Sequence, residues 1–381
     1  MNGSPLFDFA GKPRLIGGCG CAADAGVILK ENGVHRALIV TDPGVRAAGL
    51  CQRSIEGLDR AGVAWTVFDG VCENPTDLVV DACRDAANVF NADGFLAIGG
   101  GSAMDAAKGA NFLLTNGGRI HDYRGAGRAL KPLLPLVAVP TTTGTGSECQ
   151  SFAIISDSMT GMKMAIGDRK AFPLVALLDP ELTLTQPPYV LATSSLDALA
   201  HAIESMVARN ANPLSHAFSR ESFVLLGRGL NGIGTDENRL EAHRDLQLGS
   251  ALAGMAIELS MLGAAHALAN PVTARFHLAH GAAVALMLPT VMVANEGSPG
   301  CAAAYADLAK IAGLENGDHP GALAIWFAGI RDAAGLPNQL PEGAAAEIEA
   351  LAIQAAHQWT MGFNPVTFDA PGCERLYRSV G

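Results

Sequence analysis

Four side chains in the second half of this 381-residue chain have the chemistry to hold a metal ion. Asp197 and His201 stand four residues apart in Ser194-Ser195-Leu196-Asp197-Ala198-Leu199-Ala200-His201-Ala202-Ile203-Glu204. On an α-helix, positions i and i+4 share a face, so both could meet one ion, or simply hydrogen-bond to each other at a helix surface. His266 and His280 lie in apolar stretches, where a histidine often serves as a satisfied core residue. In one continuous helix they would stand about 21 Å apart at roughly 1.5 Å per residue. Donors to a single metal must each come within about 2.0–2.2 Å of it. The chain must therefore turn back between them, and Asn270-Pro271 is the expected break. One carboxylate and three imidazoles suit iron(II) or zinc, with room left for a substrate oxygen.

A second group of residues in the first half has the chemistry of phosphate and ribose binding. Gly99-Gly100-Gly101-Ser102 follows an apolar run ending at Ile98 and opens a helix carrying Asp105 and Lys108. Glycines there let a phosphate approach the backbone and the free N–H groups of a helix start, although the same residues also make a tight turn. The spacing is not GxGxxG, so the usual dinucleotide fingerprint does not apply as such. Pro140-Thr141-Thr142-Thr143-Gly144-Thr145-Gly146-Ser147-Glu148 places hydroxyl and amide donors in one loop after another apolar run. It reads either as a phosphate loop or as an ordinary Ser/Thr turn with a helix cap. Asp42, after Val40, could bind ribose hydroxyls and repel a 2′-phosphate, favouring NAD over NADP, or could be a solvated turn residue.

The elements that must position these residues differ between the two halves. Up to about residue 180, short apolar runs alternate with helical stretches such as Asp77 to Phe90 and Ser102 to Leu114. The clearest runs are Ala37–Val40, Trp65–Phe68, Phe95–Ile98, Leu136–Val139 and Val175–Leu178. Continuously apolar strands separated by helices predict a parallel sheet covered on both faces, with ligands at the carboxyl ends of the strands. After Asp179-Pro180 the extended runs stop and Ala/Leu-rich helical segments continue to the end. The expectation is an α/β dinucleotide-binding domain over 1–180 and an all-helical metal-binding domain over 181–381, with metal and cofactor in the cleft between them.

Composition narrows the partners. The net charge of −11 disfavours nucleic acid or an anionic membrane as the main ligand. Met1 to Gly11 lacks the basic-then-apolar pattern of a signal peptide. The most membrane-like run, Ser250 to Ala269, contains Glu258 and His266 and reads as a buried helix ended by Asn270-Pro271. Eight scattered cysteines without CxxC spacing suit free thiols in a reducing, cytoplasmic compartment.

Taken together, Gly99–Lys108, Pro140–Glu148, Asp197–Glu204 and His266–Pro289 resemble the iron-containing (group III) alcohol dehydrogenase family, in its order and spacing. The resemblance implies a metal-dependent NAD(P) oxidoreductase of a small alcohol or aldehyde, with iron(II), or zinc, held by Asp197, His201, His266 and His280. It implies cofactor contacts from Asp42, Gly100, Gly101, Ser102, Thr141, Thr142 and Lys163, with Asn74 nearby. Two positions depart from the family pattern. Asn270 stands where many members carry a proton-relaying histidine, and an amide cannot transfer a proton as imidazole does. Cys149-Gln150 follows Glu148 where a threonine is usual. His277, three residues before His280, is the candidate replacement relay, with a surface role or support of a metal ligand as its alternatives. The rivals are a glycerol-dehydrogenase-like or dehydroquinate-synthase-like enzyme and a non-catalytic dinucleotide- or metal-binding protein. A homodimer is the default assembly.

Overall fold

The computed structural model describes residues 7, 9–233 and 236–380. The reading of Met1 to Gly11 rests mainly on residues outside these. The described chain forms two compact units, drawn from residues 9–186 with 233–251, and from residues 187–232 with 252–380. The first therefore extends past Pro180 and takes in a later segment.

Nine strands lie in the first unit: β1 (Arg14–Gly17), β2 (Arg36–Val40), β3 (Ala64–Phe68), β4 (Gly94–Gly99), β5 (Gly125–Ala126), β6 (Leu136–Pro140), β7 (Phe152–Ser156), β8 (Lys163–Gly167) and β9 (Val175–Leu178). Six make an all-parallel sheet in the order β1-β9-β6-β4-β2-β3. All five anticipated apolar runs are strands of it. The central strands β4 and β6 are buried along their whole length, which is why they read as unbroken apolar runs. Burying each Leu, Ile or Phe there contributes about 1.5–3 kcal/mol. Helices Asp77–Phe90 and Gly101–Asn116 follow β3 and β4; the first is capped by Thr76, whose hydroxyl accepts from Val79 N–H.

The remaining strands form a small sheet, β5-β8-β7, in which β7 and β8 are antiparallel. This sheet was not anticipated. β7 alternates half-buried and buried residues, the period-2 pattern of a one-sided hairpin.

The second unit is helical, and no strand follows Leu178 among the described residues. Proline opens several of its helices, at Pro188, Pro213 and Pro299, where the missing N–H costs nothing. Two expectations need correction. The Ser250–Ala269 run is not one helix, because Arg239–Ser260 and Ala264–Phe276 meet at a bend of 107°. Nor does Asn270-Pro271 turn the chain back, since Pro271 lies buried inside the helix Ala264–Phe276. Packing holds that helix together despite one lost backbone bond, and the Tyr377 hydroxyl donates to Leu268 O in the affected turn at 2.6 Å. The reversal falls instead at His277, whose backbone is left-handed (φ 53°), and the next helix starts at His280. No single described helix is long and apolar enough to cross a membrane, although the bent pair passes by length and composition.

Candidate metal centre and dinucleotide loops

Three helices of the second unit, Pro188–Val207, Ala264–Phe276 and His280–Asn295, carry the candidate ligands, and the last packs on both of the others. The first carries Asp197 and His201 one turn apart, with Asp197 Oδ2 3.7 Å from His201 Nε2. The second brings His266 in beside them, with Nε2 3.4 Å from Asp197 Oδ1 and its ring stacked 4.8 Å from that of His201. One ligating atom from each of Asp197, His201 and His266 lies within 4.8 Å of the others, and all three residues are buried. The third helix begins with His280, whose ring is 5.5 Å from that of His266. Its neighbour Gly281 lets the third helix pack closely on the first, because a Cβ there would lie 2.0 Å from Thr193 O and 3.2 Å from Asp197 Cβ.

The electrostatics fit a cation. Asp197 Oδ1 and His266 Nε2 are buried with no hydrogen-bond partner, a costly arrangement unless something else satisfies them. Burial works against the Asp197 charge, but His201, His266 and His280 outweigh it and hold the carboxyl well below the usual range. Burial would likewise lower the His266 pKa, yet Glu204 first and Asp197 second raise it to about 9. The pocket thus favours positive charge, and its donors, carboxylate and imidazole, suit iron(II) or zinc.

Glu204 has no role that its local sequence reveals. It lies three residues after His201 on the same helix, and its Oε2 is 2.5 Å from His266 Nδ1. Spacing from His201 hints that it shares the face, but His266 is 62 residues away. His277 is exposed and caps its helix; Asn270 Nδ2 donates to Gln358 Oε1 at 3.2 Å.

In the first unit, Asp42, Gly99–Ser102 and Thr141–Thr145 follow the carboxyl ends of three adjacent strands, β2, β4 and β6. Asp42 caps the short helix Pro43–Ala47 by accepting from Val45 N–H at 2.9 Å. Its other oxygen, Oδ2, would stand 3.5 Å from a Cβ on Gly99. Gly99 has φ 151° and a Cβ there would lie 2.8 Å from Ala103 Cβ, while one on Gly101 would lie 2.7 Å from the Thr145 side chain and one on Gly100 3.2 Å from Thr142 Oγ1. Thr141 N–H donates to Gly99 O at 3.0 Å, tying the two loops together. Ser102 is half-buried in the first turn of its helix. Asn74, with φ 52°, precedes Pro75, whose carbonyl accepts from Ser156 N–H at 2.9 Å. Lys163 is the ladder partner of that same Ser156.

Beneath the threonine loop lies a buried ionic group. Lys108 is fully enclosed and donates to Ser147 O at 2.7 Å, Ser147 Oγ at 2.9 Å and Phe152 O at 2.8 Å. Ser147 in turn donates to Asp105 Oδ1 at 2.8 Å. Burial raises the Asp105 pKa against the opposing charge of Lys108. Burial also pushes Glu148 up to about 7. Gln150, at the departing position, donates to Thr145 O at 2.7 Å and closes the loop.

A family model for iron-containing alcohol dehydrogenases matches residues 12–180, and a model of the C-terminal part of the same family matches residues 191–381. Alcohol dehydrogenase 4 of Saccharomyces cerevisiae is 35% identical over 367 residues, covering 96% of each chain. The NAD-dependent methanol dehydrogenase of Bacillus methanolicus is 35% identical over 290 residues, covering 76% of each. Among solved structures, a 1,3-propanediol oxidoreductase superposes with a TM-score of 0.93 at 28% identity, covering 98% of this chain and 100% of the other. Two matched models that together span nearly the whole chain, with relatives of this similarity, establish that it belongs to the iron-containing alcohol dehydrogenase family and is an oxidoreductase acting on CH–OH groups.

Proposed function

We propose that this enzyme oxidises short primary alcohols, or reduces the matching aldehydes, with NAD and with iron(II) held by Asp197, His201, His266 and His280. The observation that carries the reading is the facing pair of buried, unbonded atoms, Asp197 Oδ1 and His266 Nε2, at 3.4 Å. The substrate class is supported by relatives named as methanol and 1,3-propanediol dehydrogenases. When bound, the ion supplies Lewis-acid polarisation of the substrate oxygen and the nicotinamide accepts or donates hydride.

The chain's own residues bind and orient. Gly100, Gly101 and Ser102 offer backbone N–H groups at a helix start to the pyrophosphate. Thr141 and Thr142 add donors across the loop, and Lys163 and Asn74 are further cofactor contacts. Asp42 accepts from ribose hydroxyls, and its charge disfavours a 2′-phosphate. His277, exposed at the end of its helix, is the proposed carrier of the substrate proton to solvent. Unchanged turnover and pH profile in His277→Ala would remove it from the mechanism. The scattered thiols suit a reducing cytoplasm, and a homodimer is the expected assembly.

The test is anaerobic loading of metal-free protein with iron(II) or zinc, followed by an alcohol and aldehyde panel with NAD and NADP. Iron-dependent NADH formation with short alcohols is expected. Dinucleotide binding without turnover across the panel would overturn the proposal.

A further inference from the structure

Helix Ala264–Phe276 starts without a capping side chain of its own, because Gly263 occupies the N-cap. A helix start leaves its first four N–H groups unpaired, and here they are buried. Two distant side chains supply acceptors. Asn364 Oδ1 accepts from Ala264 N–H at 3.1 Å, and Glu204 Oε1 accepts from Ala265 N–H at 2.8 Å. Only glycine fits between them, since a Cβ at 263 would stand 2.7 Å from Asn364 Oδ1 and 3.0 Å from Glu204 Oε1.

The second oxygen of the same carboxylate, Glu204 Oε2, lies 2.5 Å from His266 Nδ1. A carboxylate accepts and does not donate, so the bond keeps a hydrogen on Nδ1 and makes Nε2 the nitrogen whose lone pair a cation takes up when it displaces the other proton. Nε2 is the atom that faces Asp197 Oδ1 at 3.4 Å. Glu204 is carried by the helix that also bears Asp197 and His201, seven and three residues earlier. One rigid element therefore presents two ligands and the group that orients a third.

We propose that Glu204 is the positioning residue of the metal centre, fixing both the tautomer of His266 and the start of the helix that carries it. This role rests on the metal assignment above. Outer partners of metal-bound imidazoles typically act in this way. Glutamine is the informative replacement. It offers one acceptor and one donor to two facing donors, so one of them goes unmet or His266 moves its hydrogen to Nε2, where the lone pair is required.

The experiment measures the dissociation constant of cobalt(II) by chelator competition, and the visible spectrum of the cobalt-loaded protein, together with the unfolding midpoint of each metal-free variant. Glu204→Gln is expected to weaken binding roughly 10–100-fold and shift the cobalt bands. Glu204→Asp, which keeps the charge but retracts it, should fall between Gln and wild type, and it carries the test if the Gln variant does not fold. Asn364→Ala frees the neighbouring N–H but leaves the Glu204–His266 bond, so it should weaken binding far less. Wild-type affinity and spectrum in both Glu204 variants would overturn this role alone, as would an equal loss in Asn364→Ala. Failure of the wild type itself to take up cobalt would overturn the metal assignment and this role with it.

Discussion

Asp197 and His266 come from helices far apart in sequence, yet their Oδ1 and Nε2 atoms face each other at 3.4 Å in the protein interior, with neither hydrogen-bonded. Leaving two such atoms unsatisfied costs roughly 1–3 kcal/mol for each group, which a bound cation would recover. Replacement of either residue removes one side of the pair. His266→Ala and Asp197→Asn are expected to lose metal retention and turnover together while dinucleotide binding persists, as read by elemental analysis and by dinucleotide titration. Normal metal content in both variants would refute the assignment.

Lys108 tests how the threonine loop is held. Lys108→Met keeps the length of the side chain but abandons three acceptors and strips Asp105 of its compensating charge. The expected cost is roughly 3 kcal/mol or more in urea unfolding, with a raised KM for the dinucleotide. Because Ser147 links the two groups, Asp105→Asn with Lys108→Met should cost less than the sum of the single changes. Simple additivity would argue against a shared network.

Glu148 sets a pH dependence of stability. Its folded-state pKa, about 7, lies above the 4.5 of an ordinary glutamate, because burial disfavours the charged form. Its contribution is complete below about 4.5 and is lost as pH rises through about 7. Over that window the loss is roughly 3 kcal/mol, at about 1.4 kcal/mol per unit. Glu148→Gln should flatten this part of the stability curve and be the more stable protein above neutrality, as measured by denaturant midpoints. Parallel curves for the two proteins would contradict the prediction.

Asp42 tests cofactor choice without disturbing the backbone it caps. Asp42→Ser retains an N-cap hydroxyl for Val45 N–H but removes the charge. The ratio of kcat/KM for NADP to that for NAD should rise by on the order of tenfold, about 1.4 kcal/mol. An unchanged ratio would leave the preference to other residues.

The parts most legible in the sequence are those governed by local pattern. Phe95–Ile98 and Leu136–Val139 read as strands because both faces are covered, and Asp197 with His201 reads as a pair because one helical turn joins them. Arg14–Gly17 escaped notice as a four-residue strand with no fully buried position. The β7–β8 hairpin escaped because half of its positions are only partly buried. Pro271 misled because tertiary packing outweighs a local helix breaker. Glu204 and Lys108 lie within the metal and glycine motifs, but their partners His266, Ser147 and Phe152 are 62, 39 and 44 residues away. Nothing local encodes such contacts.

The left-handed residue at 277 has a consequence for the evolution of this site. His280 takes its place from a connection of only His277, Leu278 and Ala279 between two helices. Each residue added or removed there would swing the following helix face by about 100°. A change of length in this short joint is therefore passed on to His280, and the joint works as a fixed-length spacer. Asparagine or glycine at 277 would preserve the reversal, so backbone geometry at that position can outlast the imidazole it now carries.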